Sequence, residues 1–388
     1  MSPRNDPSGL RPGVAGLPVP EAAERARSQQ LLERILAAIT RAGGCLPFDQ
    51  YMQMALYEPG LGYYDADGRK FGSDGDFITA PEISPLFARA LAVQVAQAFT
   101  QTPARILEFG AGTGALAREL IAELQRLGCG VSGYDIVEVS ADLRARQRER
   151  LAGLPVRWLD ELPQTFAGVV IANEVLDVLP VQLFVRDGGT LHERGVCADG
   201  AQLRLGARLA DAELRAAVAQ IESLVGPLPN GYGSERCALA AGWLRSLAQC
   251  LEHGLILLLD YGFPRREYYH PQRAMGTLMC HYRQHAHADP LWMPGLNDIT
   301  AHVDFTACAA TAQDAGLDLL GYTSQAHFLL NCKILDLLSA AHTPENTAGV
   351  QRLLSEAEMG ELVKVMALGR GFEGLPLGFA RGDRSHRL

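Results

Sequence analysis

The sequence predicts an α/β fold. It is a Rossmann-like, doubly wound parallel sheet with an N-terminal helical and loop cap and an inserted α+β segment. Three observations carry this. Near-continuous apolar runs such as "RILEF" (105–109) and "GLILLLDYG" (254–262) alternate with helical spacing, the pattern of parallel strands buried on both faces. The first run leads directly into glycines at 110, 112 and 114 and then a helix. The chain has 388 residues, 48% hydrophobic and 20% charged, which suits a globular protein of two or three domain-sized units.

Residues 1–25 are rich in Pro and Gly and lack an apolar signal core. Their acids, Asp6, Glu21 and Glu24, fit poorly with an Arg-rich transit peptide, so a flexible leader and a cytoplasmic protein are expected. From residue 26, apolar positions 31, 32, 35, 36 and 39 give helical spacing, stopped by Gly43-Gly44. The segment 26–100 is expected to be the cap, with helical ends around a long Gly/Asp/Tyr loop at 58–80 that would serve as a lid.

The sheet is expected over 101–180 and 252–332. After "RILEF" come a helix over about 114–127, strand-like "YDIVEV" (134–139), helical "SADLRARQRERL", short "VRWL" and the run "GVVIANEVL". Beyond residue 252 follow "GLILLLDYG", helical "TACAATAQDAG" and strand-like "LDLLGYTSQAHFLL". The interruption at 181–251 reads as an insertion: a hairpin about Asp187-Gly188-Gly189, then helices near 210–224 and 236–251. Residues 333–388 read as a C-terminal helical extension, with "QRLLSEAEMGELVKVMALG" as one helix.

A net charge of −9 disfavours a nucleic-acid binder, which needs a basic face to neutralise phosphates. No window approaches the roughly 20 apolar residues of a membrane span, so no membrane insertion is expected. The eight cysteines are scattered without a C-x-x-C pair and are expected to be reduced thiols. His281, His285 and His287 lack a Cys or acid at ligand spacing, so no metal is expected.

The glycine turn holds a nucleotide-bearing cofactor. Gly110, Gly112 and Ala115 meet the loose dinucleotide pattern G-x-G-x-x-G/A, so the turn alone leaves a dinucleotide open. Two features favour S-adenosylmethionine. Glu108, at the strand tip, would repel a pyrophosphate yet suits a cationic amino-acid tail, and Gly114 makes the turn G-x-G-x-G. Glu138, at the end of the second strand, is placed to accept hydrogen bonds from both ribose hydroxyls. Asp160, after the third strand, is a candidate for the adenine amino group.

The fourth strand ends in "IANEVLDVLP", which sets Asn173, Glu174 and Asp177 at the carboxyl end of the sheet, where such folds place their chemistry. An amide and two acids beside a methyl donor suggest an acceptor with cationic nitrogen, and a guanidinium fork matches carboxylates. Asp260 follows an apolar strand and is expected to face the same region. His302 and Asp304, before a helix, are candidate substrate contacts or caps.

The motifs "LYEPGLGYYD", "GDFITAPEIS", "LEFGAGTG", "IVEVS", "ANEVLDVLPV", "LLLDYG", "DITAHVDF" and "GYTSQAHFLL" occur in this order over roughly residues 30–335. Together they resemble the MidA family of class I methyltransferases, whose mitochondrial member is an arginine methyltransferase acting in assembly of respiratory complex I. The resemblance implies transfer of a methyl from S-adenosylmethionine to a protein arginine. It implies that Glu108, Gly110, Gly112, Gly114 and Glu138 hold the cofactor. It also implies that Thr79 and Glu82 cap that site, with Asn173, Glu174 and Asp177 beside the acceptor. An arginine-containing protein, in the mitochondrial case linked to a respiratory complex, is the expected partner, and a homodimer is left open. A small-molecule or other-residue methyltransferase and a cofactor-binding assembly chaperone stand as alternatives.

Overall fold

The computed structural model describes residues 14, 16–65 and 79–388. Most of the expected leader (1–13 and 15) and the centre of the expected lid (66–78) lie outside the described residues. The chain divides into two compact units: Met1–Phe77, Val178–Leu239 and Arg265–His302 form the first, and Ile78–Asp177, Ala240–Pro264 and Val303–Leu388 the second.

In the first unit a helix begins at Ala22, inside the stretch expected as leader, and runs to Arg41. Its start is fixed by the Glu24 carboxylate accepting the Glu21 backbone N–H at 2.7 Å. Gln182–Asp187 and Thr190–Asp199 pair antiparallel as the expected hairpin, within a five-stranded sheet that also holds Cys45–Pro47, Gln202–Leu209 and Gly233–Arg236. Leu31, Ile35, Phe48, Tyr51, Leu183 and Val196 are buried together as this unit's core. All eight cysteines are free thiols.

The second unit carries the Rossmann-like sheet. Its strands are β1 (Arg105–Phe109), β2 (Gly133–Val137), β3 (Val156–Leu159), β4 (Phe166–Asn173), β5 (Leu251–Phe263), β6 (Asp318–Ser324) and β7 (Val363–Arg370). They lie in the order β3-β2-β1-β4-β5-β7-β6, and the two-residue strand Val303–Asp304 pairs with the end of β5. β1 to β5 are parallel, whereas β7 runs antiparallel to β5 and β6. Alternate residues Ile106, Tyr134, Ile136, Val169, Ile171, Leu255, Leu257, Leu259, Val363 and Val365 line one face. There they pack with helices Pro85–Ala98, Ala115–Arg126 and Pro344–Leu354. A strand covered on both faces needs no polar alternation, and β1, β4 and β7 have almost none.

The structure differs from the expected boundaries at four further places. Pro85–Ala98, expected in the cap, packs on the sheet. Residues 265–302, expected in the sheet domain, belong to the first unit. "SQAHFLL" is helical from Gln325, because Ser324 accepts the backbone N–H of His327 and caps a new helix. The largest difference is β7. "VKVMALGR" was expected as the end of a helix and instead supplies an internal strand, since the short apolar run after Lys364 gives no period by which to tell the two apart. Among the described residues no helix is long and apolar enough to cross a membrane.

Candidate active site

The turn after β1 depends on glycine for backbone reasons. Gly110, Gly112 and Gly114 have φ of 59°, 53° and 81°, the left-handed region that costs other residues about 1 kcal/mol or more. A Cβ at Gly110 would also lie 3.1 Å from Val175 Cγ2. Gly114 is the N-cap of the helix Ala115–Arg126, so the first-turn amides of that helix follow directly on the turn.

Glu108 is buried below this turn and accepts the Tyr134 hydroxyl at 2.8 Å. Burial, with the Glu138 charge adding to it, pushes its carboxyl up to about 8. Glu138 is also buried. Its Oε1 accepts the Ser140 N–H at 3.0 Å and its Oε2 the Gln147 amide at 3.0 Å. Burial raises its pKa against those donors.

Thr79 is the N-cap of the short helix Ala80–Ile83, and Glu82 within that helix reaches the glycine turn. Glu82 Oε1 accepts the Thr113 hydroxyl, and it pairs with Arg150 at 3.2 Å. Asp160, by contrast, is exposed and held by Arg144 at 2.6 Å. That guanidinium also donates to Glu138 O and Leu159 O, tying the ends of β2 and β3 together.

After β4 the backbone is strained at one place. Glu174 adopts φ 54° with its N–H on Leu259 O at 2.8 Å. Its Oε1 accepts the Ala80 N–H and the Asn173 amide, both at 3.2 Å, while Oε2 carries no hydrogen bond among the described residues. Burial pushes the Glu174 carboxyl up to about 7. The buried Asn173 Oδ1 likewise has no partner among the described residues. Asp177 is buried in the same turn.

Asp260 and Asp304 both accept backbone N–H groups. Asp260 is buried on β5 and clamps backbone: its Oδ2 accepts the N–H groups of Val175 (3.1 Å), Leu176 (2.8 Å) and Asp177 (3.4 Å). Burial, and then the Glu174 charge, lift its carboxyl to about 7. Asp304 caps the helix Phe305–Asp314 by accepting the Ala307 N–H at 3.0 Å. His302 belongs to the first unit, where its N–H donates to Thr277 Oγ1 at 2.8 Å.

Thr79, Glu82, Glu108, the three glycines, Glu138, Asn173, Glu174 and Asp177 thus lie in one unit, beyond or beside the carboxyl ends of β1, β2 and β4. Tyr134, Gln147, Trp158, Thr113 and Arg150 also belong to this frame and were missed by sequence reading. For Gln147 a signal existed: an apolar-facing position in an otherwise charged helix. Among the described residues no group of three or more His, Cys, Asp or Glu could hold a metal ion.

Residues 90–323 match the family described as "Putative S-adenosyl-L-methionine-dependent methyltransferase". A protein of Burkholderia thailandensis solved bound to S-adenosyl-homocysteine is 48% identical, with a TM-score of 0.91 over 96% of this chain and 100% of that one. The Drosophila melanogaster "Protein arginine methyltransferase NDUFAF7 homolog, mitochondrial" is 29% identical, covering 90% of this chain and 87% of the relative. The Mus musculus "Protein arginine methyltransferase NDUFAF7, mitochondrial" is 29% identical over 90% and 86%. The mitochondrial names of these relatives overturn the cytoplasmic expectation drawn from the leader. By the match over most of its length, by its Rossmann-like sheet and by its glycine turn, the chain belongs to the S-adenosyl-L-methionine-dependent methyltransferase family.

Proposed function

We propose that the chain transfers the methyl group of S-adenosylmethionine to an arginine guanidinium of a protein substrate. The observation that carries this is the pair of acceptors at the end of β4 that have no partner among the described residues, Glu174 Oε2 and the buried Asn173 Oδ1. Two planar acceptors beside a methyl donor match the forked donors of a guanidinium. The arginine methyltransferase names of the relatives support the same acceptor.

The residues present fit the cofactor. The glycine turn leaves its backbone open where a Cβ would intrude, and Glu138 is a buried acid at the end of β2 with acceptor capacity left over. When bound, S-adenosylmethionine supplies a methyl carried on a positively charged sulfur. Glu108 and the glycine turn hold the amino-acid end, Glu138 the ribose, and Thr79 and Glu82 close over them. Asn173, Glu174 and Asp177 would hold and orient the guanidinium toward the methyl. Glu174 Oε2 would be the first acceptor for the proton displaced from the guanidinium nitrogen.

The test is incubation of the full chain with methyl-labelled S-adenosylmethionine and an extract from cells lacking it, followed by hydrolysis of labelled protein. Label in methylarginine is the expected result. Label in another residue or in a small molecule would replace the guanidinium, and cofactor binding without any label would favour a chaperone.

A further inference from the structure

We propose that Gln147 is a positioning residue: it locks the glycine turn and the Glu138 carboxylate into one frame, so that the cofactor meets a preformed ribose site. This rests on the reading of Glu138 as the ribose acceptor.

Gln147 is fully buried on the helix Ala141–Arg150, whose sequence "ADLRARQRER" otherwise buries only Leu143. Its amide joins three separate elements. Nε2 donates to Gly112 O at 2.8 Å and to Glu138 Oε2 at 3.0 Å, and Oε1 accepts the Trp158 indole N–H at 2.9 Å. An indole N–H can only donate, so the amide oxygen must face Trp158 and the nitrogen must face the carbonyl and the carboxylate. Both amide hydrogens are thereby used.

The same arrangement leaves Glu138 acceptor capacity. An ionised carboxylate has about four lone-pair sites; Ser140 N–H and Gln147 take one on each oxygen, and the Val139 N–H adds a weaker third contact. The remaining capacity is what a ribose hydroxyl would take. Only an amide serves here. A leucine of similar length removes both donors, and a glutamate sets a second carboxylate against Glu138 and against a carbonyl. The charged groups around this frame are Glu108 on β1, Arg144 and Arg150 on the helix, Arg148 over the Trp158 ring, and Asp160 on Arg144.

The experiment is titration of the full chain with S-adenosyl-homocysteine by calorimetry at acidic, neutral and alkaline pH. Wild type, Q147L and Q147E are compared, with thermal melts of each sample. Q147L is expected to bind about 10- to 100-fold more weakly at every pH. Q147E is expected to match that loss at alkaline pH, and its deficit relative to wild type is expected to shrink as pH falls, because its protonated carboxyl regains a donor. Wild type runs the other way, since protonated Glu138 loses acceptor capacity. Wild-type affinity in both variants would overturn the proposal, as would a Q147E loss that does not change with pH, which is what a packing defect produces. If Q147E fails to fold, Q147L decides. Absence of binding in wild type would instead remove the cofactor reading of the site.

Discussion

Asp260 Oδ2 accepts the backbone N–H of Leu176 at 2.8 Å, across 84 residues of sequence. With Val175 and Asp177 on the same oxygen, one buried carboxylate holds the whole turn that follows Glu174. Asp260→Ala leaves these donors without an acceptor inside the protein. It is expected to cost about 2–4 kcal/mol of stability and most of the methyl transfer. Asp260→Asn keeps an acceptor oxygen and should cost less than half as much. Urea unfolding of the two variants checks the order.

Glu108 gives a pH signature in stability. Its carboxyl is raised from 4.5 to about 8, so between those values the folded chain keeps a proton that the unfolded chain has released. Its contribution is therefore full below pH 4.5 and is lost as pH rises toward 8. Glu108→Gln cannot ionise yet still offers an oxygen to Tyr134. It should melt roughly 3–6 °C above wild type at pH 8 and alike at pH 4.5. Equal melting at both pH values would show that Glu108 ionises without penalty.

On the proposed reading, Glu174 links the chemistry to pH. The acid must be ionised to hold a guanidinium, and burial raises its pKa to about 7. Turnover per substrate affinity should therefore climb roughly tenfold per pH unit below 7 and level off above it. Glu174→Gln should lose about 100-fold or more in transfer together with that limb, while affinity for S-adenosyl-homocysteine stays within about threefold. A variant at full rate would sink the role given to this acid.

Gly110→Ala tests the turn itself. A φ of 59° strains alanine by about 1 kcal/mol, and the new methyl meets Val175 Cγ2 at 3.1 Å in the turn that Asp260 holds. Because one substitution presses on both turns, cofactor affinity and transfer should fall together. A loss confined to affinity would show that Val175 gives way.

The features legible in the sequence were those imposed by local backbone demand. Three glycines after an apolar strand can do little else, and acids at the ends of β1, β2 and β4 follow from where those strands stop. Roles set by distant partners were not legible. Asp260 reads as a cleft acid until the N–H groups after β4 are seen to take it. For Gln147 the spacing from Leu143 marks a buried position, but its partners, 35, 9 and 11 residues away, give no sign in the sequence. Asp304 read equally as a cap or a substrate contact and is a cap, while the exposed Asp160 is held by Arg144, a partner 16 residues away that the sequence does not point to.

The antiparallel β7 has a consequence for how the protein is made. It pairs with β5 from Gly254 to Tyr261, yet the ribosome delivers β5 long before β7. Throughout that interval a long apolar strand waits with one edge bare, the kind of edge that recruits other chains. Lys364, the register partner of Asp260, arrives only with β7. A nascent chain therefore carries the turn after Glu174 on an unfinished sheet until β7 has been added.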